Sequence, residues 1–283
     1  RARVYARLRR AVLRLRLQKE GWTLTAAAQR TTKGLKTMKD FNDIGISRRL
    51  DWPRIQHLFR LGLFGAFLTL IGDLILGWGV QDETLTGILR MYSAYTGTSD
   101  GGIFASALLG LLGLTLEGLC YFGVYRLFAE NALQYAHRYR AGIFGYVIFG
   151  GCGFHVPVCA AVFLMKHGLS TELLEKYAAY FVTPSTALFW IFFLVLVITQ
   201  IQVFAKGLTP YPKGCWVFSL PVGMAAAMLP KVFGNQPWVN ALTCAWISIG
   251  NLWMFGGLLA AMKKARINEG GNEHAVFRKT GAL

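Results

Sequence analysis

Six apolar stretches, each close to the length needed to cross a lipid bilayer, constrain this chain more than any other feature. A membrane helix needs about 20 consecutive apolar residues. The stretches are Leu58–Val80, Gly101–Leu127, Ala141–Leu164, Thr183–Ala205, Cys215–Leu229 and Val239–Met262. The fifth is short. The spacing predicts an all-α fold, a polytopic bundle of about six transmembrane helices over residues 58–262, with no soluble catalytic domain.

Charge placement agrees. Charged residues make up 16% of the 283 residues, whereas soluble domains average about 25%. The net charge of +16 is uneven, because residues 1–37 hold eleven Lys or Arg against the single acid Glu20. A basic balance of this kind can signal nucleic acid, but in residues 38–283 the positive charges flank the apolar stretches, so no nucleic-acid partner is expected. Lys39, Arg48, Arg49, Arg54, Arg126, Arg138, Arg140, Lys206, Lys213, Lys263, Lys264 and Arg266 fall on one side of a six-span topology. Arg90, Lys166, Lys176 and Lys231 fall on the other. The positive-inside rule then puts both termini in the cytoplasm and the protein in the cytoplasmic (inner) membrane, with the lipid bilayer as the first partner.

The segments outside the spans read differently. Residues 1–37 are expected to be translated sequence upstream of Met38, or a basic amphipathic helix with Val4, Leu8, Val12 and Leu15 on one face, or a transit peptide. Residues 38–57 read as a cytoplasmic lead-in, and 263–283 as a disordered cytoplasmic tail. Residues 81–100 and 167–182 read as amphipathic connectors, with Tyr92, Tyr95, Leu174 and Tyr177 at headgroup level, or else as a lid over an outward cavity. Cys120, Cys152, Cys159, Cys215 and Cys244 all lie in or beside apolar stretches and read as small packing residues.

Ionisable groups in hydrocarbon are costly and usually face a bundle interior. Asp73, Glu117 and His155 are such groups. At ~1.5 Å rise per residue, Asp73 and His155 lie roughly 22 and 21 Å from the inner ends of their stretches, and so share a depth. Glu117 and Asn251 form a second layer about one turn nearer the basic side, at roughly 15 Å. Gly72, Gly77 and Gly79 surround Asp73, Gly113 and Gly118 bracket Glu117, and Gly150, Gly151 and Gly153 precede His155 with Pro157 after it. Small residues allow close helix approach, and the Gly–Pro cluster predicts a broken helix at His155. Two readings stand: the polar groups pair to fix helix register, or they line a cavity that takes a small-molecule or lipid ligand. Lys231, after Pro230 at the end of the short stretch, either snorkels to the interface or serves as counter-ion to Asp73. Gln200 and Gln202 read as interhelical glue, and Trp216, Trp238 and Trp253 as belt or packing aromatics.

Several chemistries are excluded. Intramembrane aspartyl proteolysis would need Gly at position 70, where Leu70 stands, and a second aspartate within a span. No rhomboid-like Gly-x-Ser-x-Gly occurs. One intramembrane histidine makes a poor zinc site, so no metal is expected. No phosphate loop or dinucleotide fingerprint occurs, so no cofactor is expected.

Taken together, Gly72–Asp73, Glu117, His155-x-Pro157, Pro230–Lys231 and Gly250–Asn251 resemble an uncharacterised family of multi-pass bacterial membrane proteins, over roughly residues 55–262. The resemblance implies a place for the site but no reaction. A fainter likeness is to lysoplasmalogenase-type membrane hydrolases, which also carry Gly-Asp in a membrane helix. Three functions follow as expectations: a small-solute or ion-coupled carrier using Asp73 or Glu117, a lipid-acting enzyme with His155 as general base oriented by Asp73, or a structural or sensory membrane protein.

Overall fold

The structure, a computed structural model, describes residues 50–129 and 131–280, with side chains as far as Glu269. The expectations for residues 1–37, and for Lys39, Arg48 and Arg49, lie outside the described residues. Leu50 onward forms one compact helical unit, and no strand occurs among the described residues. The helices are α1 (Trp52–Gly77), α2 (Gly87–Ser93), α3 (Asp100–Cys120), α4 (Phe122–Arg126), α5 (Leu133–Phe149), α6 (Val156–Lys166), α7 (Thr171–Tyr177), α8 (Thr183–Ala205), α9 (Leu220–Met228), α10 (Pro237–Cys244) and α11 (Trp246–Thr280). Gly150–His155 and Ala178–Val182 are π-helical, and Lys213–Val217 and Leu229–Phe233 are 3₁₀.

Four continuous helical rods are long and apolar enough to cross a membrane: Trp52–Gly77, Asp100–Arg126, Leu133–Lys166 and Thr171–Ala205. A fifth forms if α10 and α11, bent by 58° at their junction, count as one span. The sixth expected span is shorter than a bilayer: Leu220–Phe233 is an apolar half-rod. Pro221 starts it and Pro230 tightens its end into 3₁₀, which limits its length. The bundle is therefore the expected all-α membrane fold, built from four or five full spans and one partial one.

The outer surface is apolar, unlike that of a soluble domain, and a few polar groups are buried within. Phe104, Phe64, Phe67, Ile191, Leu194 and Ile198 are each at least half exposed, whereas Asp73, Glu117, His155 and Asn251 are buried. Apolar side chains facing outward around a polar centre suit a hydrocarbon solvent. Glycines let the rods touch. A Cβ on Gly113 of α3 would overlap the Thr69 hydroxyl of α1 and lie 2.7 Å from the Gly65 carbonyl. Gly223 of α9 likewise meets Gly250 of α11, with Cα 2.8 Å from its would-be Cβ.

The two ends differ as the charge pattern requires. At one end Lys206 Nζ donates to Tyr135 Oη (2.6 Å), Arg266 donates to Gln56 Oε1 (2.9 Å), and Tyr211 Oη donates to the Leu258 carbonyl (2.9 Å). At the other, Gln81 and Asn235 exchange hydrogen bonds of 2.9 and 2.8 Å, Asn240 Nδ2 reaches the Gly79 carbonyl (2.8 Å), and Lys166 pairs with Asp100 (3.0 Å).

Three local expectations are corrected. The tail does not become irregular at residue 263, because α11 runs on. Glu269 accepts from the Leu50 amide (3.3 Å) and from Trp52 Nε1, pinning the start of α1 to the end of the bundle. Helical continuity from the span carries α11 through Gly270 and Gly271. Tyr92, Tyr95 and Leu174 are not headgroup anchors; they are buried in a core cluster with Ile103, Val158 and Val162. Residues 171–182 are not a separate connector either, since they extend α8 outward as one rod.

The glycine contact of α1 with α3 is the tightest test of this packing. Gly113→Ala is expected to lower stability by about 1–3 kcal/mol, whereas Gly97→Ala, with nothing within 4 Å of its added methyl, should be neutral. Thermal unfolding of the detergent-solubilised protein measures both; equal melting temperatures would contradict the contact.

Candidate functional site

Two helix irregularities meet at the bundle centre. The π segment ends on His155, because three glycines and Pro157 weaken the regular ladder there. The α10–α11 break at Ala245 sets Cys244 and Ser248 against α1 and Trp246 against Trp190 of α8. Irregular backbone at membrane depth persists where it lines a cavity, and here it does. A cavity of about 100 Å³ is bounded by Thr69, Asp73, Leu114, His155, Cys244, Trp246 and Ser248, among others.

Asp73 and His155 are brought together as their depths require. His155 Nδ1 stands 3.7 Å from Asp73 Oδ1, too far for a hydrogen bond. The other ring nitrogen, Nε2, lies 3.0 Å from the Ser106 carbonyl. Since a carbonyl only accepts, Nε2 carries a proton and Nδ1 is the atom free to gain or lose one. Asp73 accepts from Ser248 Oγ (2.6 Å) through Oδ2. Among the described residues no other hydrogen bond to its carboxylate is made.

Glu117 is placed quite differently. Thr69 Oγ1 (2.8 Å) donates to its Oε1, and Tyr146 Oη (2.7 Å) and Asn251 Nδ2 (2.5 Å) donate to Oε2. Tyr121 Oη in turn donates to Asn251 Oδ1. Glu117 is fully buried, and both its oxygens are satisfied. It does not line the cavity; Thr69 stands between them. This carboxylate joins α3 to α1, α5 and α11.

Lys231 belongs to neither layer. It is exposed and forms no ion pair with Asp73, so of its two expected roles the interfacial one fits. It marks the rim of a larger cavity of about 450 Å³, lined by Ile88, Met91, Tyr92, Tyr95, Phe154, Val182, Trp190 and Trp246, among others. The two cavities share the side chains of Met91, Tyr95, Phe154, Val158, Thr243 and Trp246. The larger one is a vestibule at the end of the bundle opposite the basic end. Gln81, Ile88, Met91, Tyr92 and Tyr95, all from residues 81–100, form part of its wall.

Sequence reasoning missed Thr69, Ser248, Tyr121, Tyr146 and Ser106. A helical signal existed for four of them. Thr69 is four before Asp73, Ser248 three before Asn251, and Tyr121 four after Glu117, so each pair shares a face. Ser106 is eleven before Glu117, close to three full turns. Nothing in the sequence singles out Tyr146 among eleven tyrosines.

The contrast between the two carboxylates has a measurable consequence. Glu117→Leu takes the acceptor from three buried donors, leaving Thr69 only the Gly65 carbonyl (3.2 Å) and Asn251 Nδ2 only the Tyr146 oxygen (3.1 Å), and is expected to lower stability by about 3 kcal/mol. Asp73→Asn keeps an acceptor for Ser248 and should cost less than about 1 kcal/mol. Thermal unfolding of the purified variants decides it, and equal losses would show that Asp73 is as structural as Glu117.

Residues 38–265 match the family of unknown function DUF6796. No curated protein and no solved structure matches the chain. The match meets the expectation of an uncharacterised family, whereas the likeness to lysoplasmalogenase-type hydrolases gains no support from it. The membrane character rests on the helices themselves. With most of its length covered, the chain is a member of DUF6796, a family of unknown function.

Proposed function

We propose that this protein is a membrane-embedded carrier for a small solute, with Asp73 and His155 as its proton-linked binding site. The observation that carries the reading is the under-bonded Asp73–His155 pair at the base of a vestibule. A carboxylate with one donor and an imidazole nitrogen 3.7 Å away can bind a ligand atom between them, or close on a shared proton. Buried ionisable groups of this kind serve as proton relays in transport. Broken helices that line a site within the bundle are a further carrier trait.

The proposed orientation puts the end bearing Arg54, Lys206, Lys213 and Arg266 in the cytoplasm of a bacterial cell, with the vestibule facing out. Reporter fusions after Ala94 and after Lys206 should then report outside and inside; a shared side for both would overturn the topology. For transport, proteoliposomes holding a pH-sensitive dye are challenged with a panel of small apolar amines, alcohols and carboxylic acids. The reading expects proton movement above that of protein-free vesicles for some members, lost in Asp73→Asn. No movement with any member, or full activity in Asp73→Asn, would reject the carrier.

One observation favours a second reading, a lipid hydrolase. Ser106 Oγ lies 3.5 Å from His155 Nε2, so Ser106, His155 and Asp73 stand in a nucleophile–base–orienter order. Against it, Ser106 is fully buried, lines neither cavity, and its own carbonyl occupies Nε2. A serine-reactive fluorophosphonate should leave the wild type unlabelled on this account. Labelling that disappears in Ser106→Ala would instead establish the hydrolase.

A further inference from the structure

We propose that the ligand of the vestibule is a lipophilic amine, its ammonium group held by Asp73 and its apolar body by the vestibule wall. This rests on the reading of the vestibule as the route to Asp73. Charge decides the polar end. The inner cavity is lined by the Asp73 carboxylate, which takes a single hydroxyl donor, and carries no cationic Lys or Arg side chain. Lys231, the cation of the vestibule lining, stays at the rim. An anionic head seated at the base would face Asp73 at short range in a low-dielectric site, which is strongly unfavourable. An ammonium there satisfies the carboxylate.

Shape and surface agree. The inner cavity of about 100 Å³ admits an ammonium and little more, while the 450 Å³ vestibule holds the body of a small apolar ligand. Between them stand the rings of Tyr95, Phe154 and Trp246, and aromatic faces attract cations at short range. Two vestibule hydroxyls, Tyr92 Oη and Thr186 Oγ1, have no hydrogen-bond partner among the described residues.

Amine and proton compete for this site. The titratable groups coupled to Asp73 are His155 from the π segment, Tyr95 after α2, Cys159 of α6 and Cys244 of α10, with Glu117 of α3 a layer below. On this proposal a bound ammonium takes the place of a proton carried by Asp73 or His155, and that proton leaves to solvent.

The test is isothermal titration of the full-length protein in lipid nanodiscs with octylamine, 1-octanol and octanoate, against empty nanodiscs. Octylamine should bind at least about tenfold more tightly than the other two. Asp73→Asn should erase that preference while leaving octanol binding in place. On the wild type alone, titration in two buffers of different ionisation heat should show a proton released as octylamine binds. This readout holds even if Asp73→Asn fails to fold. Octylamine binding no tighter than octanol, or binding without proton release, overturns the amine. If octanol or octanoate binds and Thr186→Phe abolishes it, the vestibule reading survives that failure. If none of the three binds above empty nanodiscs, the vestibule reading falls with it.

Discussion

A buried carboxylate must find its hydrogen bonds within the protein when the solvent is hydrocarbon, and that requirement organises this bundle around Glu117. Its two oxygens collect donors from α1, α5 and α11, so one side chain of α3 ties four rods together. Apolar burial cannot do this alone, because lipid tails are as apolar as the helix faces they would leave. Van der Waals contact at glycines and a satisfied polar node supply what hydrophobicity does not. Gly65 and Gly113 bring α1 and α3 close enough for Thr69 to reach Glu117. The polar node and the glycine contacts are thus one device.

Against that node, the layer above it is under-satisfied. Asp73 sits on the same helix as Thr69, one turn away, yet accepts one hydroxyl and faces a histidine across a gap. The two carboxylates occupy similar surroundings and differ in what the neighbouring helices offer them. Regular helix α5 presents Tyr146 to Glu117, while the π segment and the break at Ala245 open space beside Asp73. A group left with spare valence beside a cavity is where a ligand or a proton finds its place, and a group with none is where the fold is fixed.

The vestibule follows from the same irregularities. Residues 81–100 fold inward, so that Tyr92 and Tyr95 line a cavity where aromatics at such positions more often sit in the headgroup layer. The half-rod Leu220–Phe233 and the short α10 leave room beside α8 that full-length spans would fill. The proposed carrier function and its amine ligand draw on this space; the family match adds membership and no activity.

The sequence by itself determined the fold class, because stretches of about 20 residues that are apolar apart from isolated ionisable groups leave a helix bundle in lipid as the way to satisfy the backbone. It also determined that Asp73 and His155 lie at one depth and Glu117 and Asn251 at another, since helical rise converts residue counts into distance. It marked the break at His155 through Gly150, Gly151, Gly153 and Pro157. Rotation about each helix axis was not determined, because apolar residues surround these rods almost evenly and leave no face marked. Only the tertiary structure decided that Glu117 meets Tyr146 and Asn251, that Asp73 meets Ser248 and a cavity, and that Lys231 stays at the rim. Those outcomes depend on which helices neighbour which, and on two backbone irregularities whose consequences are felt across the bundle.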